Sequence, residues 1–99
     1  MQKSMQTLQV AVLGAGHFAN KTHIPNLLKI ENVNILAICD INFDSARKTS
    51  AEFCIPHCFQ SADKMLEDLE FDILFSVIPA HMRTNTEVLA AKKGIHLFI

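Results

Sequence analysis

The sequence has no long apolar run, no cluster of basic residues and no Cys-x-x-Cys pair. A helix needs about 20 apolar residues to cross a bilayer, and every apolar run here is far shorter, which argues against a membrane span. The net charge of −1 and the lack of a basic run give no sign of a nucleic-acid or membrane partner. Because residues 1–6 are polar, no secretory signal peptide is predicted.

Cysteine is also scarce, with Cys39, Cys54 and Cys58 as the three examples. An odd number of cysteines, without the spacing of common zinc sites, favours reduced thiols and a cytoplasmic location. His57 lies between two of them, so a metal cluster is an alternative. A helix end that leads into a short strand accounts for these residues better. We therefore predict no metal site.

A glycine-rich turn follows the first predicted strand. Residues 8–13 form a short apolar, β-branched run typical of a buried strand, and residues 19–30 carry apolar residues at helical spacing. Between them, G-A-G-H-F-A at residues 14–19 matches the dinucleotide-binding pattern G-x-G-x-x-A. Gly14 permits the tight turn, and Gly16 has no Cβ to keep a pyrophosphate away from the backbone. This order of elements predicts a pyrophosphate site at the start of the helix.

Asp40 ends the second predicted strand, residues 33–39. The dinucleotide-binding pattern expects an acid about 20 residues after the glycines, at the tip of this strand, to accept hydrogen bonds from the adenosine ribose. The alternative is that Asp40 caps a helix that starts near Phe43, a role that Asp44 could also serve. We favour the ribose role because the strand, the acid and the glycines agree.

The cofactor predicted from this acid is NAD rather than NADP. The carboxylate of Asp40 would repel a 2′-phosphate. Ile41 and Asn42 follow the acid, so no arginine stands directly beside it to bind that phosphate. Arg47 and Lys48 come later, on the following helix, and are interpreted as an exposed face. A 2′-phosphate site at this pair is the alternative.

Strands and helices alternate along the whole chain. The predicted strands are residues 8–13, 33–39, 57–59, 71–78 and 95–99, and the predicted helices are residues 19–30, 45–53, 62–69 and 84–93. This alternation implies right-handed crossovers and a parallel sheet. A chain of 99 residues, 49% hydrophobic and 19% charged, suits one small globular domain. We predict an α/β fold with a Rossmann-type, doubly wound parallel sheet in strand order 3-2-1-4-5. Residues 1–7 would be an N-terminal tail, and residues 8–99 the dinucleotide-binding domain.

Four segments carry the landmarks of a known family. The glycine turn is followed by His23-Ile24-Pro25, similar to G-x-G-x-x-A-x-x-H-x-P, and C-D-I-N surrounds Asp40. F-D-I-L-F-S-V-I-P at residues 71–79 resembles D-x-V-x-I-x-T-P. A-A-K-K-G-I-H-L-F-I at residues 90–99 resembles A-L-x-A-G-K-H-V-L-x, which precedes an E-K-P motif. The chain thus resembles the N-terminal domain of the glucose–fructose oxidoreductase / inositol dehydrogenase / MocA family.

The resemblance implies a nicotinamide-dinucleotide domain of an oxidoreductase. The parent enzyme would transfer a hydride between nicotinamide and a hydroxyl-bearing carbon of a sugar, polyol or related small molecule. In this family the catalytic lysine, the substrate domain and the subunit interface come with and after the E-K-P motif. We therefore expect a truncated, homo-oligomeric enzyme whose catalytic residues lie beyond this sequence, and no turnover by the 99 residues alone. A non-catalytic NAD(P)-sensing or regulatory protein on the same fold is the alternative.

Two positions near the expected nicotinamide differ from the family pattern. Arg83 stands where the family usually has a histidine, and Ile78 replaces the common threonine. The predicted cofactor-binding residues are Gly14, Gly16, His17, Phe18, Asp40, Ile41, Val77, Ile78, Pro79 and Arg83. The expected partners are the dinucleotide and, in the longer enzyme, a small-molecule substrate.

Overall fold

Strands and helices alternate along residues 7–16, 19–77 and 86–98, the part of the chain that the computed structural model describes. The five strands are β1 (Leu8–Leu13), β2 (Val33–Cys39), β3 (His57–Phe59), β4 (Ile73–Ser76) and β5 (His96–Phe98). A π-helical turn (Ala19–His23) precedes the helices α1 (Ile24–Leu28), α2 (Phe43–Phe53), α3 (Ala62–Asp68) and α4 (Thr86–Lys92). None of the helices within these ranges is long and apolar enough to cross a membrane.

All five strands pair in parallel, in the order β3-β2-β1-β4-β5. The central strand β1 is buried from Val10 onwards, as expected for a strand with neighbours on both edges and helices on both faces. Its register with β2 shifts after Val10, which pairs with Ile35, whereas Ala11 pairs with Ala37. The strand order predicted from the sequence is confirmed.

Apolar side chains pack on both faces of this sheet. On one face, β1 and β2 contact the π-helical turn, α1 and α2 through residues that include Val10, Val12, Ala19, Ile24, Ile38 and Ala46. On the other face, β1, β2 and β4 contact α3 and α4 through Ala11, Leu13, Cys39, Met65, Leu66, Leu74 and Ala90. Burying one large side chain of this kind stabilises a fold by about 1.5–3 kcal/mol. Two helical layers around one parallel sheet form the doubly wound α/β architecture.

The first predicted helix, residues 19–30, is divided in the structure. A π-helical turn covers Ala19–His23, and α1 continues only as far as Leu28. Pro25 has no N–H, so it cannot donate to the carbonyl four residues before it, and the hydrogen-bond ladder is interrupted there. The apolar spacing indicated a helix but not this change of helical type.

The other boundaries differ by small amounts. α2 begins at Phe43 rather than Ser45, because the side-chain oxygen of Asn42 accepts a hydrogen bond from the Ser45 N–H at 3.3 Å and caps the helix. The alternative of Asp40 or Asp44 as this cap is therefore wrong. β4, β5, α3 and α4 are shorter than predicted. Residues 78, 84, 85 and 99, which the predicted elements included, lie outside the described ranges.

Candidate functional site

The C-terminal ends of the strands meet at one edge of the sheet. Directly after β1, Gly14 donates its N–H to the last carbonyl of β2 at 2.7 Å. Directly after β4, Val77 donates to the last carbonyl of β1 at 2.8 Å, and Asp40 after β2 donates to the last carbonyl of β3 at 3.0 Å. Three of the predicted site residues thus lie at one edge, where the strand order reverses. Open α/β sheets bind ligands at such a point.

The carboxylate of Asp40 is held by two backbone amides. Its Oδ2 accepts a hydrogen bond from the Ala15 N–H at 2.7 Å, and its Oδ1 accepts one from the Asn42 N–H at 2.8 Å. Each carboxylate oxygen can accept two hydrogen bonds, so one acceptor position on each oxygen is left for a ligand. A pair of neighbouring ribose hydroxyls needs two such acceptors. Asp40 therefore joins the glycine turn to β2 and keeps the two acceptor positions that a pair of ribose hydroxyls would need.

The glycine turn is open on its outer side. Gly14 has a φ of 111°, which L side chains rarely adopt, so glycine is required by the backbone there. The situation at Gly16 is different, because a Cβ built on this residue would meet no atom within 4 Å. Gly16 is also exposed. The fold therefore leaves free space at the position where the sequence pattern predicts a pyrophosphate.

Of the remaining predicted residues, the structure describes Ile41 and Val77. The side chain of Ile41 is 71% exposed beside the acid, and Gln60 donates from Nε2 to the Ile41 carbonyl at 3.1 Å. Val77 is partly buried after β4. His17, Phe18, Ile78, Pro79 and Arg83 lie outside the described residues, and their roles stay predictions.

A buried polar contact beside the glycine turn was not expected from the sequence. The hydroxyl of Thr49, in the middle of α2, donates to Oδ1 of Asn20 at 2.8 Å. Asn20 belongs to the π-helical turn that follows the glycines. Neither residue belongs to the fingerprint, and only the packing of α2 against that turn brings them together.

Cys54, His57 and Cys58 lie where α2 ends and β3 begins. Within the ranges that the structure describes, no group of three or more His, Cys, Asp or Glu side chains could hold a metal ion. Cys54 and His57 are exposed and Cys58 is partly buried. Cys54 has a φ of 55° and caps the end of α2, where its N–H contacts the Ser50 carbonyl. The helix-end interpretation of these residues is confirmed.

The sequence and this geometry agree with one family. Residues 8–99 match the profile of the glucose–fructose oxidoreductase / inositol dehydrogenase / MocA family, described as an oxidoreductase family with an NAD-binding Rossmann fold. The chain belongs to this family. The domain is accordingly an NAD-binding Rossmann domain of an oxidoreductase family.

The individual proteins that this chain matches are much longer than the chain itself. An uncharacterized oxidoreductase of Rhizobium meliloti is 27% identical over 93 residues, which are 94% of this chain and 28% of that protein. A dehydrogenase from Chromobacterium violaceum superposes with a TM-score of 0.86 at 22% identity, over 94% of this chain and 27% of its own. Scyllo-inositol dehydrogenase from Lactobacillus casei, solved with NAD(H) and scyllo-inositol, gives a TM-score of 0.82 at 22% identity. The match covers 93% of this chain and 27% of the chain of that enzyme. These structural matches confirm the fold.

Cys39, the last residue of β2, lies directly under the site. Its side chain is 1% exposed, and burial together with the neighbouring charge of Asp40 raises the pKa of the thiol to about 12. The ordinary pKa is 9.0, so well below pH 9 the thiol is neutral in both the folded and the unfolded chain. As the pH rises from 9 towards 12, the unfolded chain loses the proton first. Folding stability should therefore fall over that window.

We expect Cys39→Ala to make the free energy of unfolding less steeply dependent on pH between pH 9 and 11 than it is in the unsubstituted chain. Urea unfolding at several pH values measures this slope. Cys54→Ala, which removes an exposed thiol, is the control and should leave the slope unchanged. Equal slopes for Cys39→Ala and the unsubstituted chain would show that the raised pKa of the Cys39 thiol is not the cause of the fall in stability.

Proposed function

We propose that this chain binds NAD(H) in preference to NADP(H), as the cofactor domain of a dehydrogenase acting on a hydroxyl-bearing carbon of a sugar, polyol or related small molecule. The observation that carries the proposal is the carboxylate of Asp40, fixed at the end of β2 beside an open glycine turn. Family membership supports the oxidoreductase assignment. The relative solved with scyllo-inositol supports the substrate class. Residues 8–99 would form the dinucleotide-binding domain, with the substrate site in the remaining length that the relatives have.

The residues at this edge fit a dinucleotide in two separate ways. A pyrophosphate can approach the backbone at Gly16, because nothing occupies the space that a Cβ would take. The adenosine ribose can use the two acceptor positions left on Asp40, and the exposed side chain of Ile41 offers an apolar surface next to it. When bound, the nicotinamide ring supplies the hydride chemistry. The contribution of this chain is to bind and orient the cofactor.

The preference for NAD(H) follows from the negative charge of Asp40 and from the hydrogen bonds that its carboxylate can accept. A 2′-phosphate would replace the hydroxyl that donates to the carboxylate, so the acid would lose a hydrogen bond and face a second negative charge. A hydrogen bond to a charged group contributes about 1.5–3 kcal/mol, which corresponds to roughly a tenfold to hundredfold difference in affinity. Arg47 on α2 is exposed and pairs with Asp44 at 3.9 Å, so within the described residues its recorded partner is Asp44 and not Asp40.

Titration of the 99-residue chain with NADH and NADPH tests the proposal. We expect NADH to bind with a dissociation constant about tenfold or more below that of NADPH, measured by calorimetry or by cofactor fluorescence. Equal affinity, or tighter binding of NADPH, would show that Asp40 does not read the ribose. The absence of binding by either cofactor would overturn the assignment of the site itself.

A further inference from the structure

A chain of polar contacts runs from the interior of α2 to the glycine turn. Thr49 donates from Oγ1 to Oδ1 of Asn20 at 2.8 Å. Asn20 in turn reaches the turn twice, with a long contact of 3.5 Å from Nδ2 to the Ala15 carbonyl and a backbone hydrogen bond of 3.1 Å from its N–H to the Gly16 carbonyl. The interior of one helix is thus connected to the two residues that lead into the predicted pyrophosphate site.

The burial of Thr49 makes this contact unusual. The residue is 0% exposed, and α2 presents the apolar residue Ala46 to the core on the turn before it. A hydroxyl in an apolar layer costs free energy unless it has a partner. A threonine within a helix commonly bonds to a carbonyl of its own preceding turn, but this hydroxyl donates to Asn20, on another element. Thr49 is therefore suited to hold Asn20 in one orientation.

Asn20 and Asp40 both contact the backbone of Ala15 in the glycine turn. The N–H of Ala15 donates to Oδ2 of Asp40, and the carbonyl of Ala15 accepts the contact from Nδ2 of Asn20. Both backbone polar groups of this residue are thus engaged before any ligand arrives. A turn that is already ordered loses less conformational entropy when it binds a pyrophosphate, which raises affinity without adding a contact to the ligand.

We infer that Thr49 and Asn20 are positioning residues for the pyrophosphate, because they fix the glycine turn in its open geometry. The inference rests on the proposed dinucleotide site. It also predicts different effects on the two parts of that site, the pyrophosphate position at the glycine turn and the ribose position at Asp40. Asp40 has a second amide partner, Asn42, and a backbone hydrogen bond to β3, so its position does not depend on Asn20. Loss of the Thr49 hydroxyl should weaken ligands that contain a pyrophosphate and spare adenosine.

The test compares Thr49→Val, which keeps the side-chain shape, with Thr49→Ser, which keeps the hydroxyl. We expect Thr49→Val to raise the dissociation constants of NADH and ADP-ribose by about three- to tenfold, the effect of one lost hydrogen bond. The dissociation constant of adenosine, measured by NMR titration, should stay within about twofold, since its ribose contacts remain. Thr49→Ser should restore most of the NADH affinity.

Ser50→Ala is the matched control on the same helix. The Ser50 hydroxyl donates to the Ile55 carbonyl at 2.6 Å, away from the glycine turn, so its loss should lower the melting temperature without changing NADH affinity. If Thr49→Val does not fold, Asn20→Ala replaces it, because Asn20 is the partly exposed partner in the same hydrogen bond. Its affinities for NADH and adenosine are then compared in the same way. NADH binding unchanged in a folded variant, or adenosine weakened as much as NADH, would overturn the inference alone. Failure of the unsubstituted chain to bind NADH would overturn the proposed function as well.

Discussion

Gly16→Ala is expected to weaken NADH binding strongly without lowering the free energy of unfolding. A Cβ at Gly16 would meet no protein atom within 4 Å, so the fold has no steric reason to require glycine there. A bound pyrophosphate would occupy that space, and forcing a methyl group into a close contact costs about 1–3 kcal/mol. The dissociation constant of NADH should therefore rise by roughly tenfold to a hundredfold. Removal of a flexible glycine from the unfolded chain should leave stability unchanged or raise it slightly.

Gly94→Ala is the matched control for this prediction. A Cβ at Gly94 would also meet nothing within 4 Å, but its φ of +80° is one that L side chains rarely adopt. This substitution should lower the free energy of unfolding by about 1 kcal/mol and leave NADH affinity unchanged, because Gly94 lies before β5 and away from the glycine turn. Calorimetric titration and urea unfolding of both variants separate the two effects. A stability loss in Gly16→Ala with unaltered binding would refute the pyrophosphate assignment.

The double variant Asp40→Ser/Ile41→Arg is expected to reverse the preference between the two cofactors. The serine removes the negative charge that faces the 2′ position, and an arginine at the exposed position 41 can pair with a 2′-phosphate. The loss of the carboxylate also removes the acceptor of the Ala15 N–H, so NADH affinity should fall by about tenfold or more. NADPH should become the tighter ligand.

Ile41→Arg alone is the control for the double variant. Because Asp40 is retained, this variant should bind NADPH somewhat more tightly but still favour NADH. Parallel titrations with both cofactors measure the two ratios. If the double variant keeps the NADH preference of the unsubstituted chain, the ribose assignment of Asp40 is wrong, and Arg47 or Lys48 would have to be considered as phosphate ligands.

The strands near the site could be predicted well from the sequence. β1, β2 and β3 have the predicted bounds. β1 and β2 are apolar runs that end at Gly14 and at Asp40. The strand order followed from the alternation of elements and from the right-handed crossover rule. Local sequence was sufficient here, because a buried parallel strand is recognised by the apolar character of its own residues.

The contacts that orient the site could not be predicted in the same way. The bond from the Ala15 N–H to Asp40 and the bond from Thr49 to Asn20 each join distant parts of the chain. Asn20 and Thr49 carry no special spacing, and their roles depend on how α2 packs against the π-helical turn. That turn itself was missed because apolar periodicity cannot distinguish a π-helix from an α-helix beside Pro25.

An NMR titration of the isotope-labelled chain with NADH, followed through its backbone amides, locates the cofactor site residue by residue. Binding at the proposed site should give saturable shifts at the amides of Gly16 and Ile41, at the edge where β1 and β2 end. The amides of Asp72 and His96, at the opposite edge of the sheet and hydrogen-bonded there to Gln9 and Asp72 carbonyls, should not shift. Saturable shifts at that opposite edge, with none at Gly16 and Ile41, would show that the cofactor does not bind at the glycine turn and Asp40.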